Sequence, residues 1–197
     1  MYHLKKDGVN NRVLVLFHGT GGDAKEMYEF GLNIDPKATI LSIEGDVRQW
    51  RMNRYFIRHE DGTFDIENLH QQTEKYFDEV ISLLKEYGLE HKEVIVLGYS
   101  NGANLIQSMM KHYNLPFAKA ILFHPSLVEA ERDFFPQKDL KVFITSGAKD
   151  PYISAQDYNR LVATIKALDI KVVSYNHQYG HALTEEEIRR SRSFIVS

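Results

Sequence analysis

Ser100, Asp150 and His181 have the types and the chain order of a covalent hydrolytic centre. Ser100 lies in Gly98-Tyr99-Ser100-Asn101-Gly102, directly after the apolar run Val94 to Leu97 and directly before Ala103, Leu105, Ile106, Met109 and Met110, which recur at helical spacing. A serine on so sharp a strand-to-helix turn is strained with its hydroxyl exposed, and the flanking glycines prevent collision between strand and helix. A serine hydroxyl is a weak nucleophile at neutral pH. It needs a base within hydrogen-bond reach, and the base needs a carboxylate to fix its tautomer. His181, behind Gly180, and Asp150, before Pro151, each follow a later apolar run and fit these roles. The order serine, aspartate, histidine is that of a nucleophile elbow on an open sheet. Asp157 and Asp139 are alternative acids; His177 and His124 also follow strands and read equally as hydrogen-bonded loop histidines.

The loop His18-Gly19-Thr20-Gly21-Gly22-Asp23 admits two chemistries. The backbone N–H of Thr20, together with that of Asn101, would make an oxyanion hole for a tetrahedral intermediate. Alternatively, Gly19, Gly21 and Ala24 match a dinucleotide fingerprint, with Glu44 near the position of a ribose-binding acid. The second reading leaves His18 and the set Ser100, Asp150 and His181 unexplained, so the first is preferred. The chain has no cysteine, which excludes disulfides, thiolate metal sites and a cysteine nucleophile. A zinc pairing of His177 with His181 lacks a third ligand. Neither a metal nor a cofactor is expected.

These side chains meet only if a sheet brings their loops to one edge. Apolar runs over 12–17, 37–43, 93–97, 118–123, 142–145 and 171–175 predict strands, with a short edge strand at 2–4. Helical patterns follow over 24–32 with Asp23 as cap, over 65–88, from Ser100 through Tyr113, over 154–168, and from the capping box Thr184-Glu185-Glu186-Glu187 onward. Strands of continuous Val, Ile and Leu alternating with helices predict a mainly parallel sheet of six to seven strands, with helices on both faces. Ligands bind such sheets at the carboxyl ends of the strands. The connection 44–65 breaks the pattern and carries Trp50, Tyr55, Phe56 and Phe64 among Arg48, Arg51, Arg54 and Arg58. A stretch of that length is either functional or a disguised helix. Its acids Glu44, Asp46, Glu60, Asp61 and Asp65 balance the arginines, so ion pairs within the loop are one expectation and a substrate contact the other.

At 197 residues the chain fits one domain over 1–197. A net charge of −3 argues against nucleic acid or an anionic membrane as main partner. The first residues lack an apolar signal core and the apolar runs are only strand length, so a cytoplasmic location is expected.

Taken together, His18-Gly19-Thr20-Gly21-Gly22, Arg54-Tyr55-Phe56 with Asp61-Gly62-Thr63-Phe64-Asp65, Gly98-Tyr99-Ser100-Asn101-Gly102-Ala103-Asn104, Gly147-x-x-Asp150-Pro151 and Gly180-His181 resemble the α/β-hydrolase fold. Within that fold, the chain is similar to the phospholipase/carboxylesterase and acyl-protein-thioesterase group, and there to the bacterial carboxylesterases of the MhqD type. The resemblance covers nearly the whole chain except the amino end, which is too short for the usual first two strands. It implies a metal-free serine carboxylesterase acting on a small ester, with Ser100, Asp150 and His181 as triad and Thr20 and Asn101 as oxyanion donors. Acyl thioesters, lysophospholipids, and a ligand-binding role without turnover are the alternatives. It further implies that 44–65 walls the pocket, with Trp50, Arg54, Tyr55 and Phe56 as substrate-binding candidates, and that a homodimer is possible.

Overall fold

The computed structural model describes residues 1–197. Its main sheet is built from β1 (His3–Lys6), β2 (Arg12–Phe17), β3 (Thr39–Ile43), β6 (Glu93–Tyr99), β7 (Lys119–Phe123), β8 (Lys141–Gly147) and β9 (Val172–His177), in the spatial order β1-β3-β2-β6-β7-β8-β9. Every neighbouring pair is parallel except β1 with β3, where the short first strand closes the edge antiparallel. The mainly parallel sheet read from the apolar runs is therefore present, with seven strands.

Successive side chains of a strand point to opposite faces, and the core divides accordingly. Val13, Val15 and Phe17 of β2 and Val94 and Val96 of β6 pack on one face with α2 (Ile66–Glu86), α3 (Asn101–His112) and α4 (Ala155–Lys166). Leu14, Leu16, Ile95 and Leu97 point the other way, toward α1 (Ala24–Ile34) and α5 (Glu185–Ile195). Burial on both sides is why these strands read as unbroken apolar runs. Helix starts follow the expected chemistry. Asp23, Asp65 and Ser154 accept N–H groups of the first turns of α1, α2 and α4, and Thr184 forms a reciprocal capping box with Glu187. No helix is long and apolar enough to cross a membrane.

The connection 44–65 holds no hidden helix. It contains a separate antiparallel hairpin, β4 (Val47–Gln49) and β5 (Met52–Arg54), joined by Trp50 and Arg51. Both turn residues have positive φ, 50° and 65°, the twist that a two-residue hairpin demands. A glycine or asparagine would normally stand there. Their absence hid the hairpin from sequence reading.

Candidate active site

Parallel strands put their carboxyl ends on one rim, and β2, β6, β7, β8 and β9 are consecutive neighbours. The loops that leave them carry Thr20, Ser100, His124, Asp150 and His181.

Ser100 occupies the turn between β6 and α3 at φ 51° and ψ −109°. That is a sparsely populated region for a residue with a side chain, and surrounding packing must hold it. The glycines allow the packing: a Cβ on Gly98 would come 2.5 Å from the Gly102 carbonyl carbon, and one on Gly102 would come 2.4 Å from the Phe17 oxygen. Two amides fasten the turn, Ser100 N–H to the Phe123 carbonyl at 2.9 Å and Gly102 N–H to the His18 carbonyl at 3.1 Å.

The Ser100 hydroxyl lies 2.9 Å from His181 Nε2, and His181 Nδ1 lies 2.6 Å from Asp150 Oδ2. The Asp150 side chain is fully buried, whereas the His181 side chain keeps a fifth of its surface exposed toward the cavity. Tyr99 donates its O–H to the His181 carbonyl at 2.9 Å, and the Tyr152 ring meets the imidazole edge-on at 5.0 Å. Both tyrosines limit how the imidazole can turn. The alternative acids are elsewhere: Asp157 accepts the Ser154 hydroxyl at the start of α4, and Asp139 is exposed ahead of β8.

Behind the histidine is a buried group of charges that the sequence did not reveal. Asp150 Oδ2 also takes His124 Nδ1 at 2.9 Å, and the other ring nitrogen of His124 faces Glu187 Oε1 at 2.9 Å. A ring held between two carboxylates must donate from both nitrogens, so His124 is an imidazolium. Burial lowers its pKa, but the hydrogen bonds it donates to Glu187 and Asp150 outweigh burial and hold it above the ordinary histidine value. Burial likewise works to raise Glu187, and the bonds from His124 and Thr145 overcome it, taking the carboxyl down to about 2. Asp150 is held below the usual carboxylate range in the same way: burial raises it, and bonds from His124, His181 and the Tyr152 amide lower it further. His177 completes the group at 3.1 Å from Glu187 Oε2. Its Nδ1 accepts the Tyr179 N–H at 3.1 Å, so its Nε2 carries the proton and donates to Glu187. The zinc pairing of His177 with His181 has no support in this arrangement.

The glycine loop is fixed by His18, which is fully buried. Its Nε2 accepts the Gly45 N–H at 2.9 Å, so its Nδ1 carries the proton and donates to the Gly19 carbonyl at 2.6 Å. Burial holds this imidazole below its ordinary pKa, which suits the neutral tautomer. Thr20 is exposed to the cavity and its N–H has no acceptor within the protein. The Asn101 N–H is the first amide of α3, one of those that a helix cannot satisfy internally. The dinucleotide reading fails at the start of α1. Asp23 accepts the Glu26 N–H at 2.8 Å and Glu44 Oε2 accepts the Ala24 N–H at 2.9 Å, so two carboxylates stand where a pyrophosphate would bind.

Ser100 and His181 open onto a cavity of about 480 Å³ that also includes Thr20, Trp50, Arg54, Arg58, Tyr99 and Asn101 in its walls. Trp50 is half exposed at the hairpin turn and belongs to the wall. Tyr55 and Phe56 do not. Both are fully buried and outside the cavity. Tyr55 is a staple: its hydroxyl donates to Ile43 O at 2.7 Å and accepts the His18 N–H at 2.9 Å, and its own N–H donates to Asn101 Oδ1 at 2.8 Å. Phe56 packs on Phe64, with ring centroids 5.6 Å apart. Their aromatic character serves the core beneath the pocket instead of the pocket.

The sequence model of the family described as Phospholipase/Carboxylesterase matches residues 4–197. MhqD of Bacillus subtilis (strain 168), whose assignment as a hydrolase is provisional, is 31% identical over 194 residues, 98% of this chain and 97% of MhqD. Two solved structures are similar throughout. The protein Atu2452 of unknown function from Agrobacterium tumefaciens str. C58 is 34% identical with a TM-score of 0.91, over 99% of this chain and 95% of its own. The Bacillus cereus carboxylesterase is 29% identical, also with a TM-score of 0.91, over 98% and 92%. With a parallel sheet of this order and a family match along nearly its full length, the chain belongs to the phospholipase/carboxylesterase family of ester-hydrolysing serine hydrolases.

Proposed function

We propose that the protein hydrolyses small carboxylic esters in two steps through Ser100, His181 and Asp150. The observation that carries this reading is the continuous chain of contacts from Ser100 Oγ to His181 Nε2 at 2.9 Å and from His181 Nδ1 to Asp150 Oδ2 at 2.6 Å. His181 takes the serine proton as Ser100 Oγ attacks the ester carbonyl carbon. The negative oxygen that develops is held by the Thr20 and Asn101 N–H groups. The carbon–oxygen bond to the alcohol breaks, the alcohol leaves with the proton from His181, and an acyl-serine remains. Water, deprotonated by the same histidine, then releases the acid and restores the serine.

The cavity favours a small substrate, since its volume of about 480 Å³ is modest among ligand pockets. That weighs against lysophospholipids and long-chain acyl thioesters. A panel of methyl, ethyl and aryl esters and matching thioesters, with acyl chains of two to sixteen carbons, tests the reading. Short esters should turn over and long chains should not, and Ser100→Ala should turn over none of them. Retained esterase activity in a clean Ser100→Ala preparation would contradict it.

A further inference from the structure

Arg54 is a buried cation without a counter-ion. The residue is 4% exposed, and its Nε has no hydrogen-bond partner. Its Nη1 reaches only Gln49 Oε1, at 3.5 Å, the limit of a hydrogen bond. Gln49 is itself engaged with the Arg58 backbone, accepting its N–H at 3.1 Å and donating to its carbonyl at 2.6 Å. Of the five acids that the sequence offered as partners, four are occupied elsewhere, and the fifth, Glu60, is exposed and pairs with neither Arg54 nor Arg58. Asp46 takes Lys75 and Tyr76, Asp61 takes Thr63, Asp65 caps α2, and Glu44 caps α1. The ion pairs expected within 44–65 therefore do not form.

The one charge that acts on Arg54 is of the same sign. Burial pushes the Arg54 guanidinium below its ordinary pKa, and Arg58 adds to the effect. Arg58 shares the cavity wall, donates Nε to the Gly62 carbonyl at 2.5 Å and rests over the Phe64 ring, and it too makes no ion pair. Removing a guanidinium from water without pairing it is costly. A fold that keeps one in the wall of the cavity containing its nucleophile gains only if a ligand supplies the anion.

Position relative to the reacting atoms supports this. The residue before Arg54 accepts the Gly21 N–H through its carbonyl at 2.9 Å, and the residue after it donates its N–H to Asn101 Oδ1 at 2.8 Å. Arg54 is thus tied on one side to the glycine loop and on the other to the residue that follows Ser100. The planar fork of Nε–H and Nη–H matches the two oxygens of a carboxylate.

Building on the ester-hydrolase reading, we infer that Arg54, assisted by Arg58, binds a free carboxylate carried by the substrate, so that the preferred substrates are small esters bearing a carboxylate. For a half-ester of a dicarboxylic acid, Ser100 Oγ bonds to the ester carbonyl carbon, the alcohol departs with the proton from His181, and water releases the free diacid. The carboxylate at Arg54 takes no part in bond making.

The test compares kcat/KM for monoethyl succinate, glutarate and adipate with that for ethyl butanoate, pentanoate and hexanoate. A second arm compares O-acetyl glycolate and O-acetyl lactate with ethyl acetate, and shows whether the charge belongs on the acid or the alcohol half. The expected result is a preference of about 100-fold for the charged ester in at least one arm, as loss of a buried charge-assisted pair implies. In Arg54→Met that ratio should fall to about tenfold or less, and glutarate or lactate should raise the Tm of Ser100→Ala but not of Ser100→Ala/Arg54→Met. Met replaces an unpaired cation with an apolar group of similar size, a change that buried sites tolerate. Equal or better use of neutral esters by the wild type would overturn the inference without any variant. So would an unchanged ratio in folded Arg54→Met. If the wild type hydrolysed no ester and Ser100 took no fluorophosphonate, the ester-hydrolase reading itself would fail, a result distinct from hydrolysis without charge preference.

Discussion

Asp150 and His124 share one contact point: the carboxylate oxygen that takes His181 Nδ1 at 2.6 Å also takes His124 Nδ1 at 2.9 Å. One oxygen thus orients the imidazole beside the serine and also anchors a buried chain that runs through His124 to Glu187 and His177. The Asp150 carboxylate is held from behind as well as from in front.

Asp150→Asn should lower kcat on any accepted ester by about 10⁴-fold, because the amide favours the wrong His181 tautomer while leaving its shape in place. Circular dichroism should show an intact fold. Steady-state kinetics on the best ester checks the prediction, and a loss under tenfold would mean that another acid serves His181.

The His124 to Glu187 pair should show strong coupling. Removing one charge of a buried pair leaves the other unpaired, so His124→Leu and Glu187→Leu should each destabilise by about 3–5 kcal/mol, and the double variant by clearly less than the sum. Urea unfolding of the four proteins measures this. Additive losses would show that the two groups do not stabilise one another.

The same groups set a pH window for stability. Glu187 and Asp150 titrate lower in the folded state than in the unfolded chain, so their contribution is complete above the unfolded values and disappears as the pH falls, for Glu187 between about 4.5 and about 2. His124 titrates higher when folded, so its contribution is complete below about 6.5 and disappears as the pH rises through the raised value. Melting temperature should therefore peak near pH 5–6.5, and His124→Gln should flatten the fall above pH 6.5. A wild-type Tm that climbed steadily from pH 6 to 8 would contradict this account.

Much of the sheet was legible because each of its central strands is buried on both faces and must be apolar throughout. Ser100 announced itself through Gly98 and Gly102, whose missing side chains leave room for backbone approach. The hairpin at 47–54 was not legible, since its turn uses Trp50 and Arg51 at positive φ and its strands lack alternation. Tyr55 and Phe56 were misread as pocket residues because an aromatic in an irregular stretch looks the same whether it faces a cavity or the core. His124 and Glu187 were missed for a different reason. The two are separated by 63 residues and each has an ordinary local role, His124 as a residue after a strand and Glu187 as part of a capping box. They meet only because α5 packs on β8, where Thr145 holds Glu187, and β8 neighbours the strand β7 that ends at His124.

The most direct test is intact mass after exposure to a fluorophosphonate, with wild type and Ser100→Ala treated in parallel. Activation of Ser100 by His181 predicts one adduct on the wild type and none on the variant. A folded wild type that took no adduct, or a Ser100→Ala protein that took the same one, would contradict the assignment of Ser100 as nucleophile.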